Sequence, residues 1–323
     1  MTEPGKVLQA ARLLADGGLV AFPTETVYGL GADASNETAV ARLYAVKGRP
    51  GGHPVIVHFA AADAAFAWAR EVPGAARALA AAFWPGPLTM ILKRADCARD
   101  SVTGGQDAVG LRVPSHPVAQ ALLVEFLALK GDVRMAGVAA PSANRFGRVS
   151  PTSVAHVHDD LGGDVDLVLE GGKATVGIES TIVDLSRGGP VLLRPGHVSL
   201  DDLERVLGAK VAHKDAAAPA HSGGMERHYA PRTPARLVAA HALDAEIASR
   251  GSRVAVLAFS RPDERADYWI RMPGDAASYA QRLYGALREL DAAGCEAILI
   301  EAPADIPEWS AVRDRLQRAA AVS

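Results

Sequence analysis

Cysteine is scarce in this chain, and the cysteines that occur form no recognisable pattern. Of the 323 residues only Cys97 and Cys295 are cysteines, and they lie far apart with no Cys-x-x-Cys and no paired Cys/His spacing. Disulfide-stapled domains and structural zinc sites both need such spacings. The sequence therefore predicts neither a disulfide framework nor a structural zinc.

Long apolar runs and an excess of one charge are also missing. No uninterrupted stretch of about 18 apolar residues occurs, and the first residues lack the basic and apolar regions of a secretory signal. The 34 Lys and Arg against 37 Asp and Glu give a formal net charge of −3. We therefore expect a cytoplasmic protein without membrane contact, in which any polyanion site is a local cluster rather than a global basic field.

Several motifs that would identify a chemistry directly are absent. The chain has no Walker A loop, no GxGxxG, no His-x-His or HExxH, and no GxSxG elbow. A dedicated protein-borne metal site is therefore not expected, and no serine nucleophile stands out. If the chain binds ATP, it uses a different device.

What is present predicts two α/β domains. Hydrophobic residues make up 49%, charged residues 22% and aromatics 5%, which is ordinary for a globular protein of two-domain length. Strand and helix patterns alternate over residues 1–209, lapse over the Ala-, Pro- and Gly-containing stretch 210–234, and return over 235–323. We interpret these ranges as a first domain, a linker and a smaller second domain.

Periodicity and end signals place the individual elements. Asn36 is a candidate N-cap for a helix that carries Val40, Leu43 and Val46 on one face. Further helices are predicted at 7–14, 74–84, 117–129, 153–161, 199–207, 277–292 and 309–320. Strands are predicted at 18–22, 54–59, 88–92, 109–113, 137–140, 167–169, 181–185, 191–193, 253–259 and 297–301.

Polar motifs follow several of these strands. Pro23-Thr-Glu-Thr-Val-Tyr28-Gly-Leu-Gly31 comes directly after the first strand, where hydroxyls and a carboxylate suit a substrate pocket. A polar turn with glycines for tight geometry explains the same residues equally well. Glu25 could act as a general base, although one carboxylate in a turn is little evidence.

Cations also gather at the ends of elements. Lys47 and Arg49 lie at a predicted helix end and form a candidate phosphate clamp, with Lys as a point charge and Arg as a planar fork. A cation in a last helical turn is also favourable for the helix dipole alone. Together with Arg112, Arg148 and Arg194, which lie at other edges, they indicate a local anion site. For His58, within a predicted strand, a buried imidazole with satisfied hydrogen bonds is favoured over a metal ligand.

Taken together, these motifs resemble the YrdC-like family. The motifs PTETVYGLG, KGRP, WPGPLT (84–89), RVP (112–114), PSAN (141–144), ESTIVD (179–184) and LRPG (193–196) occur in one order. The later HYAP (228–231) and the second α/β region resemble the two-domain branch, the threonylcarbamoyl-AMP synthases. The resemblance implies a large, twisted mixed sheet with a concave basic face, a linker that folds over the active site, and a small Rossmann-like α/β domain.

The resemblance also implies roles for individual residues. Lys47 and Arg49 would be catalytic and hold the triphosphate of ATP. The other ATP-binding residues would be Ser142, Asn144, Ser150, Arg194, His228 and Tyr229. Threonine would be bound by Thr24, His58, Arg112 and Ser180. Three features depart from the family pattern: His53, Phe146, and the linker run Ser222-Gly-Gly-Met225.

The implied activity is that of a nucleotidyltransferase. It would make L-threonylcarbamoyladenylate and pyrophosphate from L-threonine, bicarbonate and ATP, with Mg²⁺ arriving on the ATP. The product would pass to a tRNA threonylcarbamoyl transferase for N6-threonylcarbamoyladenosine modification, and a weak direct contact with tRNA stays open. Two other hypotheses remain: carbamoyl transfer from carbamoyl phosphate on the same fold, and a non-catalytic RNA-binding module.

Overall fold

Contacts along the chain divide the computed structural model, which describes residues 3–250, 253–261 and 266–321, into two units. The first unit comprises Met1–Phe146, Pro151–Thr175 and Glu179–Gly224, and the second comprises Gly147–Ser150, Val176–Ile178 and Met225–Ser323. The main division thus falls inside the predicted linker 210–234. Residues 1–2 of the first predicted domain and residues 251–252, 262–265 and 322–323 of the second lie outside the described residues.

The first unit is built on a ten-stranded mixed sheet in the order β10-β9-β8-β4-β5-β3-β6-β2-β1-β7. Neighbours β3–β5 and β4–β8 are parallel, whereas β4–β5 and β8–β9 are antiparallel. The strands are β1 Val20–Phe22, β2 Gly29–Asp33, β3 Ile56–His58, β4 Leu88–Lys93, β5 Ala108–Arg112, β6 Val138–Ala139, β7 Leu167–Val168, β8 Thr181–Asp184, β9 Val191–Arg194 and β10 Ala212–His213.

Helices cover one face of this sheet more completely than the other. They are α1 Pro4–Ala15, α2 Glu37–Lys47, α3 Ala62–Phe66, α4 Gly74–Phe83, α5 Asp100–Thr103, α6 Pro117–Lys130, α7 Val154–Leu161 and α8 Leu200–Leu207. The main core packs α2, α4 and α8 against residues such as Val57 and Met90. On the opposite face, α1 and α6 enclose a smaller core around Phe22 and Phe126. In the described part of the chain, no helix is both long and apolar enough to cross a bilayer.

Helix α2 forms where its end signals predict. The Asn36 side chain accepts hydrogen bonds from the backbone N–H groups of Thr38 and Ala39, both at 3.1 Å, which confirms the predicted N-cap. Gly48 ends the helix in the left-handed region at φ 63°. Lys47 is therefore the last helical residue, and the chain turns directly after it.

Strand β2 is a difference from the sequence interpretation. The polar-turn interpretation, one of two alternatives for this motif, places Gly29 and Gly31 in a turn, but both lie within a fully buried strand that pairs with β1. A Cβ atom on Gly31 would lie 2.9 Å from the Phe22 ring and 3.0 Å from Val138 Cγ1. Glycine is needed here because neighbouring side chains approach the backbone closely, and not because the chain turns.

The second unit contains a four-stranded parallel sheet in the order β11-β14-β12-β13. Its elements are β11 Ala235–Val238, α9 Leu243–Arg250, β12 Val254–Ala258, β13 Tyr268–Arg271, α10 Ala276–Ala292, β14 Ala297–Glu301 and α11 Ser310–Ala319. The sequence pattern missed β13 because it is an edge strand in which Ile270 alone is fully buried. The two sheets confirm the predicted mixed α/β class.

Candidate functional site

A row of polar side chains crosses the less covered face of the first sheet. His58 on β3 pairs with Arg112 on β5. Thr89 on β4 pairs with Ile182 on β8, and Ile182 in turn pairs with Arg194 on β9. The β4–β5 register brings Thr89 beside Arg112. Residues in register on neighbouring strands project from the same face. The row therefore joins motifs that are far apart in the sequence.

An apolar floor lies beside this row. Apolar residues of the same strands, close to this row, form a small buried cluster, which comprises Ile56, Ile91, Ala108, Ile182 and Leu193. Residues 219–222 lie over this floor and line a small, half-open cleft together with it. The face thus offers both apolar surface and charged groups, as a site for a nucleotide or an amino acid requires.

Gln106 and Ser222 hold the covering segment in place. The Gln106 side chain accepts from Ala220 N at 2.7 Å and donates to Ala220 O at 3.1 Å. Ser222 Oγ donates to Pro54 O at 3.1 Å, and Ser222 O accepts from Arg194 Nη1 at 2.8 Å. Side chains of the sheet and its loops therefore fix this part of the linker on the first unit.

Replacing Gln106 by alanine is expected to loosen this segment. The change removes both hydrogen bonds to Ala220, so exchange of the Ala220 amide proton should become roughly tenfold faster. Hydrogen exchange read by mass spectrometry on a peptide covering 218–224 measures this. Unchanged exchange in Gln106→Ala would show that Gln106 does not hold the segment.

Lys47 and Arg49 form a buried cationic corner. Lys47 is 2% exposed, and its Nζ donates to the carbonyl oxygens of Ser142 and Asn144. Within the described ranges no ion pair joins Lys47 to a carboxylate, and burial, followed by the nearby charge of Arg49, holds its pKa well below the ordinary value. Arg49 Nη2 donates to Pro54 O at 2.7 Å. A buried cation held by carbonyl oxygens favours an incoming anion.

The loop after β6 positions the two carbonyl groups that Lys47 contacts. Ala143 N donates to Tyr28 O at 2.8 Å, and Phe146 N donates to Lys47 O at 2.8 Å. The Phe146 ring also lies 5.5 Å from the Arg49 guanidinium. Phe146, which departs from the family pattern, therefore stabilises the position of Arg49 by a cation–π contact. Ser142 and Asn144 are thereby brought beside Lys47 and Arg49.

Arg112 is engaged by a carboxylate of the chain itself. Its Nη2 donates to Glu25 Oε1 at 2.7 Å and to Thr26 Oγ1 at 3.0 Å, and both side chains of the ion pair are less than a tenth exposed. Ser115 N donates to the other carboxylate oxygen of Glu25. Glu25 therefore orients Arg112. This role differs from that of a general base, which the sequence alone suggested for Glu25. Arg112 Nε has no hydrogen-bond partner among the described residues.

Thr24 serves the turn in which it lies. Its hydroxyl donates to Val27 O at 2.6 Å and accepts from Thr26 N and Val27 N, both at 3.2 Å. Such a turn places the Thr26 hydroxyl within 3.0 Å of Arg112. Sequence reasoning missed Thr26, although it lies in the same PTETVYGLG motif.

Ser180 and Arg194 form a second polar cluster. Arg194 Nε donates to Ser180 O at 2.9 Å, and Nη2 donates to Ser180 Oγ at 3.1 Å. The Ser180 hydroxyl also lies 2.8 Å from the hydroxyl of Thr89, a fully buried side chain. Thr89 was missed as a site residue. Its position at the end of WPGPLT, at the start of a strand, is the signal that could have found it.

His58 is a buried neutral imidazole. Burial first, and the nearby charge of Arg112 second, lower its pKa from 6.5 to about 3. Its Nδ1 has no hydrogen-bond partner in the described part of the chain, although the backbone of Ile56 and Val138 also interacts with the imidazole. An unpaired nitrogen on the polar row leaves His58 available to a ligand.

The pH dependence of unfolding is expected to report this lowered pKa. The unfolded chain takes up a proton on His58 below its ordinary pKa of 6.5, whereas the folded chain does not until about 3. Folding stability should therefore fall with decreasing pH in that window, by about 1.4 kcal/mol per pH unit from this group. Urea unfolding of His58→Gln between about pH 6 and 4 should show a correspondingly shallower fall. Equal slopes for the two proteins would contradict the assignment.

The remaining predicted site residues belong to the second unit. Ser150 lies in the segment Gly147–Ser150, and His228 and Tyr229 lie just after Gly224. All three are buried. Arg148, in contrast, is exposed, so it does not share the burial of the other cations proposed for the anion site. The described residues hold no cluster of three or more His, Cys, Asp or Glu side chains arranged for a metal.

Two family models match consecutive parts of the chain. The model of the Sua5, YciO and YrdC proteins, described as "Telomere recombination", matches residues 12–196. The model described as "Threonylcarbamoyl-AMP synthase, C-terminal domain" matches residues 198–321.

Full-length relatives and a solved structure show the same similarity. Threonylcarbamoyl-AMP synthase of Pyrococcus abyssi is 37% identical and covers 98% of this chain and 94% of its own length. The Bacillus subtilis enzyme of that name is also 37% identical, with coverages of 99% and 94%. The crystal structure of P. abyssi Sua5 complexed with L-threonine is similar at a TM-score of 0.89 and 36% identity, covering 98% of this chain and 95% of that one.

Proposed function

We propose that this chain, which belongs to the threonylcarbamoyl-AMP synthases of the Sua5/YciO/YrdC family, condenses L-threonine, bicarbonate and ATP into L-threonylcarbamoyladenylate and pyrophosphate. The observation that carries the proposal is the buried cationic corner of Lys47 and Arg49, on the same unit as the polar row with Arg112. An enzyme that aligns two anions needs such fixed positive charge.

ATP would bind at the cationic corner. Lys47, whose charge is only partly compensated by carbonyl oxygens, would hold the triphosphate together with Arg49. The loop of Ser142 and Asn144 would contact the nucleotide, and the apolar floor under residues 219–222 offers surface for a base. Ser150, Arg194, His228 and Tyr229 are proposed as further ATP contacts. Arg194 donates hydrogen bonds to the carbonyl oxygens of Ser180 and Ser222, and it would therefore also fix the positions of these two residues.

L-Threonine would bind along the polar row. Its carboxylate is an acceptor for Arg112, whose Nε is still unpaired while Glu25 fixes Nη2. The neutral His58 can accept a hydrogen bond from an ammonium or a hydroxyl group, which its protonated form could not do. Thr24 and Ser180 complete the proposed set, with Thr24 acting through its turn.

The proposed chemistry needs no protein nucleophile. The amine of threonine attacks the carbon of bicarbonate, and water leaves, which gives the N-carboxylate. An oxygen of that carboxylate then attacks the α-phosphorus of ATP, the bond from this phosphorus to the oxygen that bridges the α- and β-phosphates breaks, and pyrophosphate leaves. The protein would align these anions and stabilise charge on the phosphoryl oxygens. A covering segment would keep water from the mixed anhydride.

Magnesium would enter as part of the ATP substrate. Phosphate oxygens and water supply most of the ligands that Mg²⁺ prefers. The nearby carboxylate of Glu25 is already engaged by Arg112 and Ser115. The reactive product would pass to a tRNA threonylcarbamoyl transferase, which places the whole reaction in tRNA modification; a weak contact of this chain with tRNA is part of the same proposal.

Isotope incorporation tests the proposed substrates. With ¹³C-bicarbonate, L-threonine and MgATP, the adenylate product should gain one mass unit, carried by the carbonyl carbon. With carbamoyl phosphate in place of bicarbonate and threonine, no adenylate should form. An unlabelled product, or one made from carbamoyl phosphate, would assign the chain to carbamoyl transfer instead.

A further inference from the structure

Short pieces of chain on either side of proposed site residues belong to the second unit. The segment Gly147–Ser150 follows the loop of Ser142 and Asn144, and the segment Val176–Ile178 precedes Ser180. Within the second unit, Ala230 N donates to Gly147 O at 3.0 Å, and Arg148 forms a parallel bridge with Ala230. The second unit therefore holds chain that leads directly into the proposed substrate contacts.

One stripe of helix α10 contacts these pieces and the region of the HYAP segment. Its side chains at Gln281, Tyr284, Arg288 and Asp291 are spaced three or four residues apart and so share one face of the helix. Arg288 Nη2 donates to Val149 O, the carbonyl directly before Ser150. The adjacent stripe, including Leu283, Leu287 and Leu290, is fully buried.

At its first turns, the same helix lies directly against Gly177. This glycine has φ +83°, and a Cβ atom on it would lie 2.4 Å from Gln281 Cα and 2.6 Å from Ala280 O. Any side chain here would push the segment away from the helix. Ser180 follows three residues later in the chain.

The HYAP segment is held by the same stripe and by helix α11. The Tyr229 ring lies 5.7 Å from that of Tyr284 and 5.5 Å from the guanidinium of the buried Arg315. Tyr229 has φ 59°, a left-handed conformation that is costly for a tyrosine and that the surroundings must impose. Asp291 accepts from Arg232 N at 2.9 Å and Thr233 N at 2.7 Å just beyond.

We propose that helix α10 is a positioning element for the adenylation reaction. Through Arg288 it fixes the backbone of Ser150, through its surface at Gln281 it fixes the approach to Ser180, and through Tyr284 it fixes Tyr229. The inference rests on the proposed function, in which Ser150 and Tyr229 contact ATP and Ser180 contacts threonine. It assigns to the second unit a role in substrate affinity, with Arg288 and Gly177 as positioning residues.

Two variants with different expected signatures test the proposal. Arg288→Ala should raise the KM for ATP roughly tenfold and change the KM for threonine little, because it releases the Ser150 segment. Gly177→Ala should raise the KM for threonine more than that for ATP, because it displaces the approach to Ser180. Arg288→Lys, which keeps one donor, should recover part of the affinity for ATP.

Matched controls lie on the same helix. Arg282→Ala removes an arginine whose ion pair with Glu289 is largely exposed. Gly285→Ala adds a Cβ atom that meets nothing within 4 Å. Both controls should keep wild-type KM values. General damage to the second unit would lower the melting temperature and change both KM values together, a pattern that would overturn the proposal.

Hydrogen exchange separates this proposal from the proposed function. Amide exchange of residues 147–150 should become faster in Arg288→Ala than in Arg282→Ala, whether or not the protein makes the adenylate. Equal exchange, or KM values equal to those of the controls, would show that α10 does not position these segments. The wild-type protein could show no threonine-dependent turnover while the variants still show the expected difference in exchange. That result would refute the proposed function but would support the positioning of these segments by α10.

Discussion

Replacing Lys47 by methionine is expected to lower threonine-dependent release of pyrophosphate by roughly a hundredfold or more. The Lys47 ammonium is buried against two carbonyl oxygens, and its pKa is held below the ordinary value mainly by burial. The triphosphate of ATP would supply the negative charge that pairs with this ammonium. An uncharged methionine cannot bind the triphosphate in this way. Arg49→Ala should have an effect of the same kind, because it removes the second cation of the corner.

Measuring the free energy of unfolding of Lys47→Met distinguishes a direct loss of turnover from unfolding of the protein. Methionine has nearly the length of lysine and removes a charge that is costly to bury, which offsets the two carbonyl groups left unpaired. The free energy of unfolding should therefore change by less than about 2 kcal/mol. Lys93→Met, at a half-exposed lysine paired with Glu71 at 3.1 Å, is the control and should retain turnover. Full turnover in Lys47→Met would refute the phosphate role.

Replacing Arg112 by lysine is expected to raise the KM for threonine at least tenfold while the KM for ATP stays within about twofold. Lysine keeps the charge but has no planar fork, so it cannot hold Glu25 and a substrate carboxylate at the same time. Steady-state kinetics with each substrate varied in turn measures this difference. Equal losses for both substrates would contradict a specific role with threonine.

A double variant separates the substrate role of Arg112 from its structural role. Arg112→Met alone leaves the Glu25 carboxylate buried without its cation, which should cost about 3–5 kcal/mol of stability. Adding Glu25→Gln removes the uncompensated charge and should restore most of that stability. Turnover with threonine should stay lost in the double variant. Restored turnover would show that Arg112 matters only as a partner for Glu25.

Local signals in the sequence predicted most of the elements of the first unit. Asn36 caps α2 as expected, and in the second unit the strand at 297–301 is observed with those bounds. The sequence failed where packing overrides local preference. Strand β2 contains glycines because Phe22 and Val138 leave no space for a side chain, and that neighbour relation is not visible in a single sequence.

The candidate site was predictable as separate motifs and not as an arrangement. Most motifs lie at the ends of elements, but strand order decides which motifs meet, and spacing along the chain does not contain that order. Thr89 lies beside Arg112 and Ser180 because β4 lies between β5 and β8 in the sheet. Likewise, the sequence could not show that Glu25 would engage Arg112, since 87 residues separate them.

The measurement that tests the central claim most directly is the release of pyrophosphate from MgATP, with and without L-threonine and bicarbonate. The account predicts release only when both are present, with serine and carbamoyl phosphate as poor replacements. Release that is independent of threonine, or absent under all of these conditions, would contradict it.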